Sequence, residues 1–454
     1  MSQVSSTLET TVTKLWEDKK YNTLRDVLST LQPASAAELL SVLPENAPAP
    51  LFRLMPKELA AETFVEMEPD MQEKLIRSFS DTELKGVLDE LYMDDAVDLV
   101  EEMPANVVKR ILAQADPEMR KSINELLQYP EDSAGSIMTT EFVALRPHMT
   151  AADALTSIRR TGMDKETVNT CYVIGTDRKL MGAVTLRTIV MAQDDDTMES
   201  LMTTNIISVT TQEDQETVAH MFSLYDLNVL PVVDKENRMV GIVTVDDAID
   251  VMEEEVTEDI SKMAAITPSD KPYLKTSVFT LYKSRIPWLL LLMLSATFTG
   301  MIITHFESTL SFSIALTAAI PMLMDTGGNC GSQSSVTVIR ALSLGELHFT
   351  DLVQVWWKEV RVALMCGITL ATANFIKLIL IERVPPLIAL TICLTLLAAV
   401  MIAKFVGCTL PILADKLGFD PAVMASPFIT TIVDALSLLI FCTFAGMLLT
   451  GAVA

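Results

Sequence analysis

Asp325-Thr-Gly-Gly-Asn-Cys-Gly-Ser-Gln-Ser-Ser335 lies within a stretch otherwise apolar enough for a lipid bilayer, and Pro321 comes one turn before it. Three glycines and a row of polar side chains at that depth would leave hydrogen-bonding groups unmet in hydrocarbon. They are tolerable only inside protein or against a water-filled path. The stretch is therefore not an ordinary lipid-facing helix. A helix crossing ~30 Å of hydrocarbon needs about 20 mostly apolar residues. Five segments qualify, roughly 286–305, 312–338, 355–380, 386–411 and 422–450. The fifth holds a second anomaly, Asp434 in Phe428-Ile-Thr-Thr-Ile-Val-Asp-Ala-Leu-Ser437, with Pro427 just before. A carboxylate near a helix centre costs about 2.5–3.5 kcal/mol on insertion scales, so Asp434 is a functional candidate by default. The plainer alternative is a helix–helix hydrogen bond to a serine or asparagine, and it weighs more for Asp325, which could sit near an interface. Asp325-Thr-Gly also matches the triplet around an aspartic-protease carboxylate. Asp434 lacks any matching glycine neighbourhood, so a hydrolytic dyad is set aside and no enzyme activity is expected.

Outward from these segments the composition splits. Of the 454 residues, those up to Arg285 hold 50 acidic against 27 basic side chains, and those after it nine against seven. A single globular domain is excluded. A nucleic-acid binder is excluded too, for no basic stripe exists to displace counterions from phosphates. Met1 to Lys20 is polar and lacks the apolar core of a secretory signal. Five spans put the termini on opposite sides. The positive-inside rule then makes Lys271, Lys275, Lys283, Arg285, Arg340, Lys358, Arg361 and Lys416 cytoplasmic, with Lys377 and Arg383 outside and Lys404 within the fourth span. Six cysteines without a CxxC pair read as buried small hydrophobes, and four scattered histidines argue against zinc or copper.

In the acidic half, residues 137–259 repeat themselves. Ile137-Met-Thr139 returns as Leu201-Met-Thr203, and Leu180-Met-Gly-Ala-Val-Thr185 returns as Met239-Val-Gly-Ile-Val-Thr244. Each copy reads as strand, helix (Ala151–Thr161; Glu213–Tyr225), two apolar strands and a closing helix. This resembles a tandem pair of CBS domains, which commonly sense adenine nucleotides or metal ions. The second copy has Thr244-Val-Asp-Asp247, the arrangement that in many such domains holds a ribose, so ATP is a candidate ligand at Thr244 and Asp247. The first has Thr185-Leu-Arg-Thr188 and lacks the acid. Residues 20–130 read as helical throughout, with breakers at Pro44, Pro56, Pro69, Asp81, Asp94, Pro104, Pro117 and Pro130. Short amphipathic units bury their apolar faces only by stacking, which predicts a superhelical array.

Two acidic runs stand out. Met93-Asp-Asp-Ala-Val-Asp-Leu-Val-Glu-Glu102 sets Asp94, Asp98 and Glu101 or Glu102 along one helical face. Val245-Asp-Asp-Ala-Ile-Asp-Val-Met-Glu-Glu-Glu255 continues to Glu258 and Asp259, with Asp247, Asp250, Glu254 and Glu258 on one face. Like charges at this spacing oppose a helix by about 0.2–0.5 kcal/mol per pair. A lone run is usually a solvated surface. Two runs without a basic counterpart of similar size favour a shared divalent cation, and all-oxygen ligands suit Mg²⁺ or Ca²⁺.

In this order the pieces resemble the MgtE family of magnesium channels, over nearly the whole chain after the first twenty residues. The specific elements are Thr326-Gly-Gly-Asn-Cys-Gly-Ser-Gln333 with Arg340-Ala-Leu, Ile429-Thr-Thr-Ile-Val-Asp434, Tyr129-Pro-Glu-Asp-Ser-Ala-Gly-Ser-Ile-Met-Thr139 and Glu253–Asp259. The resemblance implies a multidomain membrane protein: an all-α superhelical N-domain (1–130), an α+β tandem CBS pair (137–200 and 201–259), a connecting helix (253–286) and an all-α transmembrane domain of five helices (286–454). It implies a homodimer in a bacterial-type plasma membrane, N-terminus cytoplasmic and C-terminus outside, with a pore between subunits lined by the second and fifth spans. Asp434 would be the ion-selecting carboxylate and Asn329 a neighbour on the same path. Mg²⁺, substrate and regulator at once, would glue the soluble domains together through Asp94, Asp95, Asp98, Asp247, Asp250, Glu254, Glu255, Glu258 and Asp259, and close the pore through the connecting helix. A coupled divalent-cation carrier, or a membrane-tethered sensor that moves nothing, remains as the alternative.

Overall fold

The computed structural model describes residues 3–44, 46–269, 273–274, 276–424 and 426–450. Lys271 and Lys275, counted above among the cytoplasmic cations, lie outside them. The chain divides into two compact units, Met1–Met252 and Glu253–Ala454.

The first unit opens with short helices: α1 (Gln3–Glu17), α2 (Tyr21–Leu28), α3 (Pro33–Val42), α4 (Pro48–Phe52), α5 (Lys57–Val65), α6 (Pro69–Ser78), α7 (Asp81–Leu88), α8 (Met93–Glu102), α9 (Ala105–Gln114) and α10 (Pro117–Leu126). Their starts follow local chemistry. Pro33, Pro48, Pro69 and Pro117 sit in first turns, where the missing N–H costs nothing. Ser80 and Glu83 close a reciprocal capping box on α7, and Asp116 caps α10 through the N–H groups of Glu118 and Met119. Each helix contributes one apolar face. Leu24, Leu40, Leu51, Phe64, Ile76, Leu88 and Ile111 are almost fully buried in one continuous core, as the stacking argument requires. Helix α1 joins it through Val12, although its sequence is polar overall.

Two small sheets follow. β1 (Val143–Leu145) pairs parallel with β2 (Thr170–Ile174), which pairs antiparallel with β3 (Leu180–Thr185). β4 (Val209–Thr210), β5 (Val229–Val233) and β6 (Met239–Thr244) repeat the pattern. Between the strands lie α11 (Ala151–Thr161), α12 (Leu186–Met191), α13 (Met198–Leu201) and α14 (Gln215–Tyr225). The lead-in segments of the repeat cross over. Thr139 bridges to Ile242 in β6, and Thr203 bridges to Ala183 in β3. The paired glycines allow it: a Cβ on Gly241 would stand 2.6 Å from the Thr139 carbonyl oxygen, and one on Gly182 would stand 2.6 Å from the Met202 sulfur.

α15 (Val245–Met263) closes the second copy and runs through the boundary between the units. The stretch 253–286, expected as one connecting helix, is not continuous. Helix α15 stops at Met263 because Ala265 turns into the left-handed region (φ +53°) and the Ala264, Ala265 and Ile266 N–H groups fold back onto the last turn. Pro268, which cannot donate to a helix ladder, follows directly. The next long helix, α16, spans Val278–His305, and the short α17 spans Glu307–Leu310.

The rest of the second unit is a bundle of α18 (Ile314–Ser343), α19 (Leu352–Leu380), α20 (Pro386–Lys416) and α21 (Ser426–Thr450). Among the described residues, four helices are long and apolar enough to cross a membrane: 278–305, 349–380, 386–416 and 421–448. α18 is of similar length but its polar stretch lowers its hydropathy. Its glycines do not break it. They are buried, and they let neighbours approach closely. A Cβ on Gly327 would meet Ser437 and Val433 at 3.1 Å, and one on Gly331 would meet Ile429 at 2.8 Å. A Cβ on Gly407 of α20 would collide with the Gly331 carbonyl. Small residues at such a crossing replace hydrophobic drive with close van der Waals contact.

Candidate functional site

α18 has two unlike sides. Leu323, Gly327, Gly328, Cys330, Gly331, Ser334, Ser335 and Val338 are buried, whereas Pro321, Asp325, Asn329, Gln333 and Arg340 are exposed. The exposed positions recur every four residues from 321 to 333, so a polar stripe runs along one face of a helix in an apolar bundle. On α21, Asp434 lies against this helix: its Oδ1 is 3.9 Å from the position of a Gly328 Cβ, beside Thr430. Asp434 is half-buried, and Asp325 is near enough for the two carboxylates to repel. Asn329 follows Gly328 and is exposed on the stripe.

Pro427 falls in the first turn of α21 rather than at a break within it. Its carbonyl accepts from the hydroxyls of Thr430 (2.9 Å) and Thr431 (3.0 Å). This carbonyl therefore already has two partners within its own helix.

The second acidic constellation lies in the first unit. Asp94, 8% exposed, sits in the first turn of α8, and Asp95 and Asp98 follow on the same helix. Asp247 comes from α15, where Thr244 donates to its carboxylate from the hydroxyl (2.5 Å) and from the N–H (3.3 Å). Burial, with the charges of Asp94 and Asp247, pushes Asp95 up to about 8. Burial raises Asp94 to about 6, although two backbone N–H groups oppose the shift. Burial and Asp94 raise Asp247 to about 7. Asp98, on the rim, is raised by burial and by Asp94. Asp94, Asp95 and Asp98 of α8 thus lie within electrostatic reach of Asp247 at the start of α15.

Three further acids join them that the sequence reading missed. Glu166 is raised to about 8 by burial and by Asp94, Asp247, Asp246 and Asp95. Glu141 accepts from the Met93 N–H at 3.2 Å, capping α8 from the first repeat, and Lys165 partly offsets its charge. Asp246 is the third, its charge felt at Asp94, Asp95 and Asp247. Glu141 and Glu166 stand apart from any acidic run, so no local pattern marks them. Among the described residues, no three carboxylates converge tightly enough for a ready metal shell. The donor chemistry nonetheless fits a hard divalent ion, since all-oxygen ligands held above their ordinary pKa relax when a cation arrives.

The outer end of the α15 run is placed elsewhere. Asp250 and Glu254 are exposed and Glu255 is half-buried. Glu258 and Asp259 belong to the second unit, where they serve a different contact. Lys262 bridges Glu258 (2.6 Å) and Asp420 (2.7 Å), and Ser343 donates to Asp259 at 3.3 Å. Burial alone would lower Lys262, but Asp420 and Glu258 hold its ammonium above the ordinary lysine value.

A helical array, a tandem α+β pair and an apolar helical bundle define a multi-pass membrane protein with a cytosolic domain. Profiles for an MgtE intracellular N domain match residues 31–132, CBS domains match 134–195 and 198–254, and the MgtE divalent cation transporter domain matches 320–444. The magnesium transporter MgtE of Thermus thermophilus is 35% identical over 94% of this chain and 95% of its own length; that of Bacillus subtilis is 32% identical over 94% of each. The chain belongs to the MgtE family, whose members are transporters and not enzymes. The cytosolic domain of the Mg²⁺ channel MgtE, solved in complex with ATP, superposes at TM-score 0.51 with 34% identity, covering 54% of this chain and 99% of that one.

Proposed function

We propose that this chain is a Mg²⁺-selective channel that mediates magnesium uptake and is closed by Mg²⁺ bound between its acidic cytosolic domains. The observation that carries the reading is the exposed polar stripe of α18 beside Asp434. Exposed Asp325, Asn329 and Gln333 cannot face hydrocarbon. A second copy of the chain, set so that the stripes of α18 and α21 face each other across water, relieves that cost. α18 then makes the fifth span alongside the four more apolar helices, with the N-terminus cytoplasmic and the C-terminus outside. Two copies of Asp434 hold a largely hydrated ion. Mg²⁺ gives up water reluctantly, and a monovalent ion gains half the Coulomb attraction at the same distance.

Regulation follows from the soluble acids. Asp94, Asp95, Asp98 and Asp247, with Glu141 and Glu166, repel when ion-free, and each bound Mg²⁺ favours the compact state by its differential affinity. Asp250, Glu254 and Glu255 extend this face along α15. Thr244 and Asp247 are also the candidate ATP contacts, so nucleotide and metal would meet at one carboxylate. The decisive test is Mg²⁺ flux into proteoliposomes. Asp434→Ala should reduce uptake to background while the purified protein stays folded and dimeric. Wild-type uptake would remove the path from α21. Unitary currents in bilayers separate a channel from a coupled carrier, which would show flux without them.

A further inference from the structure

Three helices of the membrane bundle each contribute one polar side chain to a small network that the ion path does not use. Lys404 of α20 is 5% exposed. Its Nζ donates to Ser334 Oγ of α18 at 3.1 Å, and that hydroxyl donates to Glu359 Oε2 of α19 at 2.7 Å. The ammonium and the carboxylate are themselves 3.6 Å apart. The serine has one proton. Because it accepts from the ammonium, it gives that proton to the carboxylate, and the chain Lys404→Ser334→Glu359 has a single direction.

On stability grounds this is a poor choice, because well-packed apolar residues in place of a buried ion pair are often neutral or stabilising. What the network supplies is direction. α18 meets α21 and α20 through Gly327, Gly328 and Gly331, which let the helices come near, and it buries Leu316, Ile320 and Leu323 in the core of the bundle. Apolar contacts are non-directional, whereas a hydrogen bond fixes an angle as well as a distance. Ser334 lies on the buried side, next in sequence to the exposed Gln333 of the polar stripe. A rotation of about 20° carries atoms ~5 Å from the axis through roughly 2 Å, enough to lose a hydrogen bond or misplace an ion ligand.

We infer that Glu359, Ser334 and Lys404 form a positioning lock that sets the rotation of α18, and so the presentation of Asp325, Asn329 and Gln333 to the permeating ion. The inference rests on the reading of α18 as a wall of that path. The residues touch no ion; they act through the helix.

The test uses the full chain in proteoliposomes with Mg²⁺ and Ca²⁺ as probes, reading flux of each, half-saturation by Mg²⁺, and the melting midpoint in detergent. Ser334→Ala cuts α18 from an otherwise intact ion pair. It should keep the wild-type melting midpoint and lose Mg²⁺-over-Ca²⁺ discrimination by about tenfold. Lys404→Met strands a partly buried carboxylate and should lower the melting midpoint. Lys404→Met with Glu359→Gln should restore the midpoint without restoring discrimination, whereas Lys404→Arg should preserve both. Wild-type discrimination in both Ser334→Ala and the neutral double variant overturns the lock and leaves only packing. Should Ser334→Ala fail to fold, the double variant decides alone. Asp434→Ala runs alongside: normal uptake there defeats the path reading itself, while loss of uptake there with wild-type discrimination in both Ser334→Ala and the double variant defeats only the lock.

Discussion

Carboxylates are handled in opposite ways in the two halves of this molecule. In the cytosolic half, Asp94, Asp95, Asp247 and Glu166 come from three separate segments and face one another, with burial and mutual repulsion holding them above their ordinary pKa. In the membrane bundle, partly buried Glu359 accepts a hydrogen bond from a serine and stands beside a lysine. The bundle then repeats the contrast within itself, because Asp325 and Asp434 repel each other along the polar stripe. A carboxylate satisfied by the fold's own cation and hydroxyl holds structure. One left facing its own kind is, in the function proposed above, a ligand for an ion. Lys262, bridging Glu258 and Asp420, belongs to the first class although it sits at the end of an acidic run.

The strongest way to break this comparison is to remove the waiting acids. Asp95→Asn with Asp247→Asn should leave uptake and selectivity intact and raise the Mg²⁺ concentration needed for inhibition by about tenfold, within the usual 1–3 kcal/mol of allosteric coupling. The two single shifts should sum to more than the double, because neighbours sharing an ion are not additive. Additive shifts in flux measurements would mean the two acids act apart.

A smaller effect concerns protons. Groups with ordinary values of 3.8 or 4.5 titrate at about 6 to 8 in the folded protein, so the folded state binds more protons than the unfolded one across that window. Stability therefore falls as pH rises. Without divalent ions, the stability of the acidic unit should fall as pH rises from about 4, the ordinary carboxylate range, through the raised values up to about 8, by on the order of 1–3 kcal/mol. Millimolar Mg²⁺ should flatten that slope by taking the place of the protons. A slope unchanged by Mg²⁺ in calorimetry would separate the titrating acids from the metal site.

The smallest effect tests the paired class. Lys262→Met leaves Glu258 and Asp420 without their cation and should turn a metal-independent contact into a metal-demanding one. Partly exposed pairs contribute about 0.2–1 kcal/mol, so inhibition should shift by roughly threefold or less toward higher Mg²⁺. An unmoved inhibition curve would place the bridge outside regulation.

Much of this was legible because it is written locally. Prolines mark the turns of the helical array, repeated Met-Thr and glycine positions mark the two α+β copies, and a polar run inside an otherwise apolar stretch marks α18. The missed side-chain partners share one physical cause, distance along the chain. Glu141 and Glu166 are lone acids in a loop region, and only the fold carries them to α8. Ser334, Glu359 and Lys404 lie on three different helices, and nothing in the residues around Lys404 announces a partner seventy positions away. The break after Met263 was missed for another reason. Ala265 takes a backbone conformation usually left to glycine, and no residue type announced it.

The crossed lead-in segments carry a consequence for how the chain acquires its structure. Thr139 completes the sheet of the second copy and Thr203 completes that of the first, so neither copy can finish its hydrogen-bonded edge alone. During synthesis the edge of β3 at Ala183 stays unpaired until Thr203, twenty residues further on, has been made, on the order of seconds at typical elongation rates. The pair should therefore fold as one cooperative event, and a ribosome stalled between the copies would display an open strand edge to whatever chaperone or neighbouring chain is at hand.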